Sequence, residues 1–520
     1  MRLAAAALCL ASCMRAPNLV WSGHTADRRH ELAVVHQGDV EWVAIDGARR
    51  AAYRAIAAWS LIAGDGDRVV YAAMRGDRWS VVDSGVMSHE TWDAIGEIVV
   101  APHRLAYAAE RAGAWHVVVN GAAGPAWSEI LAHTLRFSRD GAHHVYVARD
   151  RGSGHDGSAR DDRAASSGTA GDTGAERDAG RDAGRDAGTT HVVIDGVPGP
   201  AWTGVGQLVI AGDDQVLYAA RRGDQAHVVT VWPGSAGGSP PGAGDHAPRT
   251  GPAYRNITLL DASGAYAALA GDGWHVVGPR GELGGPYDAV RTMITRDEHV
   301  AWIARAGSED VVACDGEIVS REAAAAIAGD SLVMLSRPCD LAYVARDAAR
   351  ARLVRGGAQD LVYDEISGLV ACGDHLGYAA RRAGRWSVIV DGQDRATGTW
   401  ASTPVFSADG ARVGFLVQRD RRMAAVVDGK PHWFDTALDG SFAFSRSGHR
   451  WAVIAGDLAR EQLFFAIDGE HRVPLSSHEL YSAAAMRSLT DSLLGDRDDT
   501  LRAWSAAEAD RAELHDAATR

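Results

Sequence analysis

Lysine is almost missing from this chain: Lys430 is the only one in 520 residues, so nearly all positive charge is arginine. Lys and Arg total 53 against 67 Asp and Glu, a net charge of −14. No basic block offsets the deficit, which argues against a nucleic-acid surface, since phosphate binding needs clustered cations. Cysteine is scarce, with five in all and no C-x-x-C spacing. That excludes thioredoxin-type redox motifs and argues against zinc ribbons. Beyond the N-terminus no apolar run approaches the roughly 18 residues a membrane helix needs. The sequence has no HExxH, phosphate-binding glycine loop, G-x-S-x-G elbow or EF-hand loop, and Asp65-Gly66-Asp67 lacks the closing Glu of a calcium loop. No catalytic residue, metal ligand or cofactor is therefore assigned. Phenylalanine is also sparse, 8 against 16 Trp. The tryptophans need an explanation, and a repeat provides one.

One unit recurs. It is an apolar strand, a short turn, a second strand ending in Asp-Gly or Asn-Gly, an aromatic segment, and a third apolar strand. Val69–Ala73, Leu105–Ala109 and Leu376–Ala380 are copies of the first strand; Trp79–Val82, Trp115–Val118 and Trp386–Ile389 are copies of the second. Tyr71 and Tyr107 are 36 residues apart, and Tyr378 and Phe415 are 37 apart. About eleven copies begin near residues 32, 68, 104, 143, 215, 264, 299, 340, 375, 411 and 449. The aromatic segment reads Gly124-Pro125-Ala126-Trp127, Gly199-Pro200-Ala201-Trp202 and Gly251-Pro252-Ala253-Tyr254. One large ring per unit accounts for the aromatic balance. The short runs, rich in Val, Ile, Trp and Tyr, are strands. The Asp-Gly pairs at Asp46, Asp195, Asp315, Asp391, Asp428 and Asp468, with Asn120-Gly121, suit hairpin turns that require positive φ. Several strands are apolar at successive positions, as sheets covered on both faces are.

Short, doubly covered sheets repeating every 35–40 residues indicate an all-β fold, a β-propeller of about ten to eleven short antiparallel blades in one large ring or two rings. Phe137-Ser138-Arg139-Asp140-Gly141, Phe406-Ser407-Ala408-Asp409-Gly410 and Phe444-Ser445-Arg446-Ser447-Gly448 resemble the F-S-P-D-G core of WD40-like propeller repeats of the TolB type. The proline of that pattern is missing in all three, and most other copies keep only the spacing. The resemblance covers about residues 19–482 and implies fold, not function. Leu19–Ser22 is a spare strand, open to pairing in the last blade. Leu480–Ser482 could instead be that blade's own outer strand.

The flanks differ in character. Met1-Arg2 is followed by an apolar run to Ser12, too short to span a bilayer but the length of a signal peptide's core. Leu10-Ala11-Ser12-Cys13 resembles the bacterial lipoprotein lipobox. That implies a signal at 1–12, lipidation of Cys13 and, since Met14 is not Asp, an outer-membrane lipoprotein of the bacterial cell envelope facing periplasm or exterior. Cys314, Cys339 and Cys372 then remain; three is odd, so at least one thiol stays free or pairs between chains. Residues 151–188, with Arg-Asp-Ala-Gly three times from Arg177, form a disordered insertion by composition. Residues 233–252 form a Gly/Pro-rich loop. Met486, Leu489 and Leu493 fall at helical spacing, so 483–520 is expected to be a small C-terminal helical tail.

Two patterns invite a functional reading. His116, His191, His227 and His275 occupy one second-strand position in four copies, where a metal or acid–base ring competes with plain inheritance of a repeat consensus. Equivalent positions in different blades do not converge, so inheritance is the expectation. Arginines such as Arg75, Arg111, Arg222, Arg382 and Arg422 gather at one set of turns, and Asp46, Asp195, Asp391, Asp428 and Asp468 at the other, suggesting an electrically polar disc. The function expected is a non-enzymatic envelope-anchored scaffold. Its partner would be an envelope protein or a glycan, with membrane contact through the lipid and no nucleic acid. The alternative is a propeller hydrolase or lyase acting on glycans or peptides at a channel mouth.

Overall fold

In the computed structural model the described residues are 18–24, 31–63, 68–150, 188–212, 214–233, 248–323, 326–329, 331–347, 350–356, 358–445, 447–460, 462–469 and 471–474. Cys13 and the signal lie outside them, as do 151–187 of the insertion, 234–247 of the second loop, Leu480–Ser482 and the tail 483–520.

The described residues are strands and turns. They form eleven antiparallel sheets, each of four sequential strands, with a fifth short strand in three of them. The first sheet takes Asn18–His24, Glu31–Gln37, Val40–Ile45 and Ala48–Tyr53 in that order. The remaining sheets, numbered here in chain order, begin at Ala55, Ala94, Glu129, Gly204, Asn256, Ala289, Val333, Glu365, Trp400 and Thr436. Every hairpin expected from the repeat supplies the second and third strands of one sheet. Asn18–His24 pairs with Glu31–Gln37, so Leu19–Ser22 belongs to the first sheet; the eleventh sheet has its own fourth strand, His471–Pro474.

The turns follow from residue type. Asp46, Asn120, Asp195, Asp315, Asp391, Asp428 and Asp468 all have φ near +50°, and the glycine after each is also positive. Two successive left-handed residues match the twist of the flanking strands.

Two compact units divide the chain, Trp92–Ile257 and the described residues on either side of it. Within each unit, apolar faces of consecutive sheets close on one another. In Trp92–Ile257, Ala106 and Val117 of sheet 3 pack with Tyr146 and Val193 of sheet 4. Val145 and Val192 of sheet 4 in turn pack with Tyr218 and Val229 of sheet 5. In the other unit, sheets 7 and 8 meet through Ile303, Val312 and Tyr343. Sheets 8 and 9 meet through Leu353 and Tyr378. Sheets 9 and 10 meet through Val388 and Phe415, and sheets 10 and 11 through Leu416 and Val453. The step from one sheet to the next is one repeat, and polar bonds keep the same period. Arg104 donates to the Gly141 carbonyl, Arg296 to Met334 and Arg412 to Gly448, spans of 37, 38 and 36 residues. Serially stacked four-stranded sheets are the blade construction of the β-propeller class.

Candidate functional site

The repeated histidines were the first candidates, and the structure makes three of them braces. His116, His191 and His227 sit opposite Ala109, Ala148 and Ala220 of the neighbouring strand. Their Nδ1 atoms hydrogen-bond the carbonyls of Gly124, Gly199 and Gly251, the glycines that open the aromatic segment. Each ring also meets an indole at a tilt, that of Trp92, Trp127 or Trp202. A Cβ at Gly124 or Gly199 would come within 3.0–3.1 Å of the Val117 or Val192 carbonyl oxygen, a tight approach that glycine avoids. His275 differs: Asp272 and Glu282 hold its two nitrogens at 2.9 and 2.8 Å. Burial opposes its charge, but the two carboxylates prevail and raise its pKa above the ordinary histidine value. Among the described residues the four histidines are engaged separately and do not converge on one another.

The turn aspartates are clamps. One carboxylate oxygen accepts a backbone N–H at the start of the first hairpin strand: Val300 to Asp315, Leu376 to Asp391, Trp451 to Asp468. The other oxygen takes a basic side chain one residue earlier: His299, His375, Arg450. Arg68–Asp83 and Arg412–Asp428 join that edge. The opposite edge carries Arg54–Asp77, Arg149–Glu129 and Arg381–Glu365. Ion pairs therefore occur at both sets of turns.

The arginines at the other turns cover aromatic faces. Arg111 lies over Trp92 at 4.0 Å, Arg222 over Trp202 at 4.7 Å and Arg382 over Tyr363 at 4.8 Å. Each such pairing at a half-exposed site contributes about 0.5–1 kcal/mol.

A cleft of about 340 Å³ opens within Trp92–Ile257, between sheets 4 and 5. Val197, Pro198, Val231, Trp232, Pro233 and Pro248 form apolar walls, Tyr218 is deeper, and Asp195 stands at the margin. Burial pushes the Tyr218 phenol up to about 12 despite the opposing Trp202 indole, so it is neutral at physiological pH. Burial also works against an ionised Asp195. The His144 and His143 imidazoles and the His144 N–H outweigh it and bring its pKa down to about 2. His143 Nδ1 lies 2.6 Å from one carboxylate oxygen and His144 Nδ1 3.1 Å from the other. The site is thus a proline- and tryptophan-lined trough with one permanent anion. Sequence reading missed it, because 233–252 reads only as a loop. The signal was at the loop's ends, where Trp232-Pro233 and Pro248 put rigid apolar surface beside an Asp-Gly turn.

Cysteine chemistry divides as the odd count requires: Cys314 and Cys339 form a disulfide between sheet 7 and the turn that enters the Leu341 strand of sheet 8, and Cys372 is free.

The construction is that of a β-propeller protein, and the following solved structures are similar to it. A eukaryotic initiation factor matches over 79% of this chain and 96% of its own, at 12% identity and a TM-score of 0.35. TolB from Acinetobacter baumannii matches over 42% and 63%, at 12% identity and 0.24. The β-propeller domain of Cps50 (Swd1) from Myceliophteria thermophila matches over 42% and 83%, at 15% identity and 0.23. No protein-family model and no curated protein sequence matches the chain. None of these similarities carries a function to it.

Proposed function

We propose that this chain is a lipid-anchored β-propeller scaffold of the bacterial envelope, attached through Cys13, that binds a protein or a glycan without transforming it. The observation that carries the binding half is the trough at Trp232. Its walls offer ring and pyrrolidine faces, which suit the apolar face of a sugar or an extended apolar peptide, and Asp195 offers one acceptor for orientation. Hydrolysis of a glycan usually asks for two carboxylates about 5–10 Å apart, one with a raised pKa. Asp195 is the one carboxylate among the described residues lining the trough, and its pKa is lowered. The recurrent histidines and turn aspartates are engaged within their own sheets, which favours a structural role for them.

The anchoring half rests on Leu10-Ala11-Ser12-Cys13. Palmitate labelling of the wild-type chain, lost in Cys13→Ala and blocked by globomycin, is the expected result; unlabelled, freely released protein overturns the anchor. For binding, full-length protein is applied to arrays of envelope glycans and peptides. Capture that disappears in Trp232→Ala supports the scaffold. Cleavage of a captured ligand, or capture indifferent to Trp232, overturns it.

A further inference from the structure

Three donor atoms converge at one corner of sheet 7. His299 Nδ1 is 2.6 Å from Asp315 Oδ2, and Cys339 Sγ is 3.5 Å from the same oxygen. All three atoms lie within 4.8 Å of one another, the only such His, Cys or carboxylate trio among the described residues. The corner is reachable, with His299 and Asp315 side chains each about a third exposed. Tetrahedral zinc with nitrogen and oxygen bonds near 2.0–2.2 Å and sulfur bonds near 2.3 Å sets its ligands roughly 3.3–3.8 Å apart. The nitrogen–oxygen spacing falls short of that range and the sulfur–oxygen spacing lies within it, so side-chain adjustment of about 1 Å brings the donors onto one ion.

In the disulfide, Cys339 Sγ is bonded to Cys314 Sγ and carries no thiolate. We infer that His299, Asp315 and Cys339 form a thiol-gated site for a soft divalent cation of the zinc class, closed while Cys314–Cys339 is oxidised and opened by its reduction. The gate is a two-electron exchange. A dithiol reductant attacks the disulfide, its two sulfurs end as their own disulfide, and its two protons pass to Cys314 and Cys339. The cation then displaces the Cys339 proton and takes Nδ1, Oδ2 and Sγ as ligands, with Cys314 beside it as a potential fourth. His–Asp clamping alone is a structural habit of this fold, seen again at His375–Asp391. What sets sheet 7 apart is the sulfur. The inference does not depend on the anchored-scaffold reading.

The test uses Co²⁺ as the spectroscopic probe and detergent-solubilised full-length protein, oxidised or reduced with dithiothreitol and desalted anaerobically. The reduced wild-type chain is expected to bind one equivalent with a thiolate-to-metal charge-transfer band, and the oxidised chain to show no band. Losing one ligand in Cys339→Ser or His299→Gln should weaken binding by about a hundredfold, at or above the 10–100-fold typical of second-shell losses. His299→Gln retains a hydrogen-bonding side chain at the clamp, so its fold is checked by circular dichroism against wild type. His375→Ala, at the sulfur-free corner, should bind as wild type. No band in the reduced chain, equal binding by both redox forms, or unchanged affinity in Cys339→Ser or His299→Gln overturns the site.

Discussion

Aspartate at a blade corner does two things that no other side chain does together. It tolerates a left-handed backbone, and its two oxygens hold a backbone N–H and a base. Asn120 shows which part is replaceable: its Oδ1 accepts the Leu105 N–H at 2.9 Å without an ionic partner. At the equivalent Asp391, Asp391→Asn should therefore change stability little. Asp391→Ala, which orphans the Leu376 N–H and strains φ, should cost about 1–2 kcal/mol in urea unfolding. A larger loss in the Asn variant than in the Ala variant contradicts the clamp. Asp195 supplies the pH dependence. Its folded pKa, about 2, is below the unfolded value of about 3.9, so its contribution is complete above pH ~4 and disappears as pH falls toward 2. Acid titration of wild type and Asp195→Asn should show a stability gap at pH 5 that narrows steadily between pH 4 and 2. A gap independent of pH in that window removes Asp195 as the acid-sensitive group.

Within each blade, the hairpin of second and third strands was legible from sequence and the first strand much less so. Hairpins are local: Trp79–Val82 follows Val69–Ala73 across one turn, and the Asp-Gly pair marks where the second strand stops. The first strand is interrupted. It shifts register between Ala57 and Ile62, and in sheet 4 it is two short pieces, Glu129–Ile130 and Arg136–Phe137. A hydroxyl fills the gap. Ser60, Thr134, Ser331 and Ser441 each donate to a carbonyl three residues back and accept an N–H from the strand 12 or 13 residues ahead. That role needs the folded neighbour, so the serines read as ordinary loop residues. The disulfide and the cleft were illegible for the same reason: counting cysteines says one is left over, not that Cys314 meets Cys339. Buried Ser331 offers the test. Ser331→Ala leaves the Val344 N–H and one acceptor of Ala328 without their partner, at a cost of about 1–3 kcal/mol. Hydrogen exchange at Val344 should accelerate in the variant, and unchanged exchange there rejects the bridge.

Across many blades the same economy of contact governs stability. Within each compact unit the apolar clusters of the described residues join one sheet to the next, as in a repeat array whose energy is a sum of neighbour terms. Aromatic and branched residues at the strand centres carry those terms. Tyr343 is buried between sheets 7 and 8, against Ile303 and Val312, and its hydroxyl donates to Ser320 at 2.7 Å. Removing it should cost about 3–5 kcal/mol, in the range of buried aromatic truncations. A cooperative core would spread that loss over the whole unit. Neighbour stacking confines it. In Tyr343→Ala, hydrogen-exchange mass spectrometry should show lost protection in Ala289–Ala323 and Val333–Tyr363, while Thr436–Pro474, three sheets further along, exchanges as in wild type. The confinement follows from geometry, because the apolar contacts of sheet 11 run to sheet 10 through Trp451, Val453 and Phe464, and none of these touches the Tyr343 cluster. Uniform deprotection of all these segments would mean that the blades share one cooperative core, and the neighbour-sum account of this fold would have to be given up.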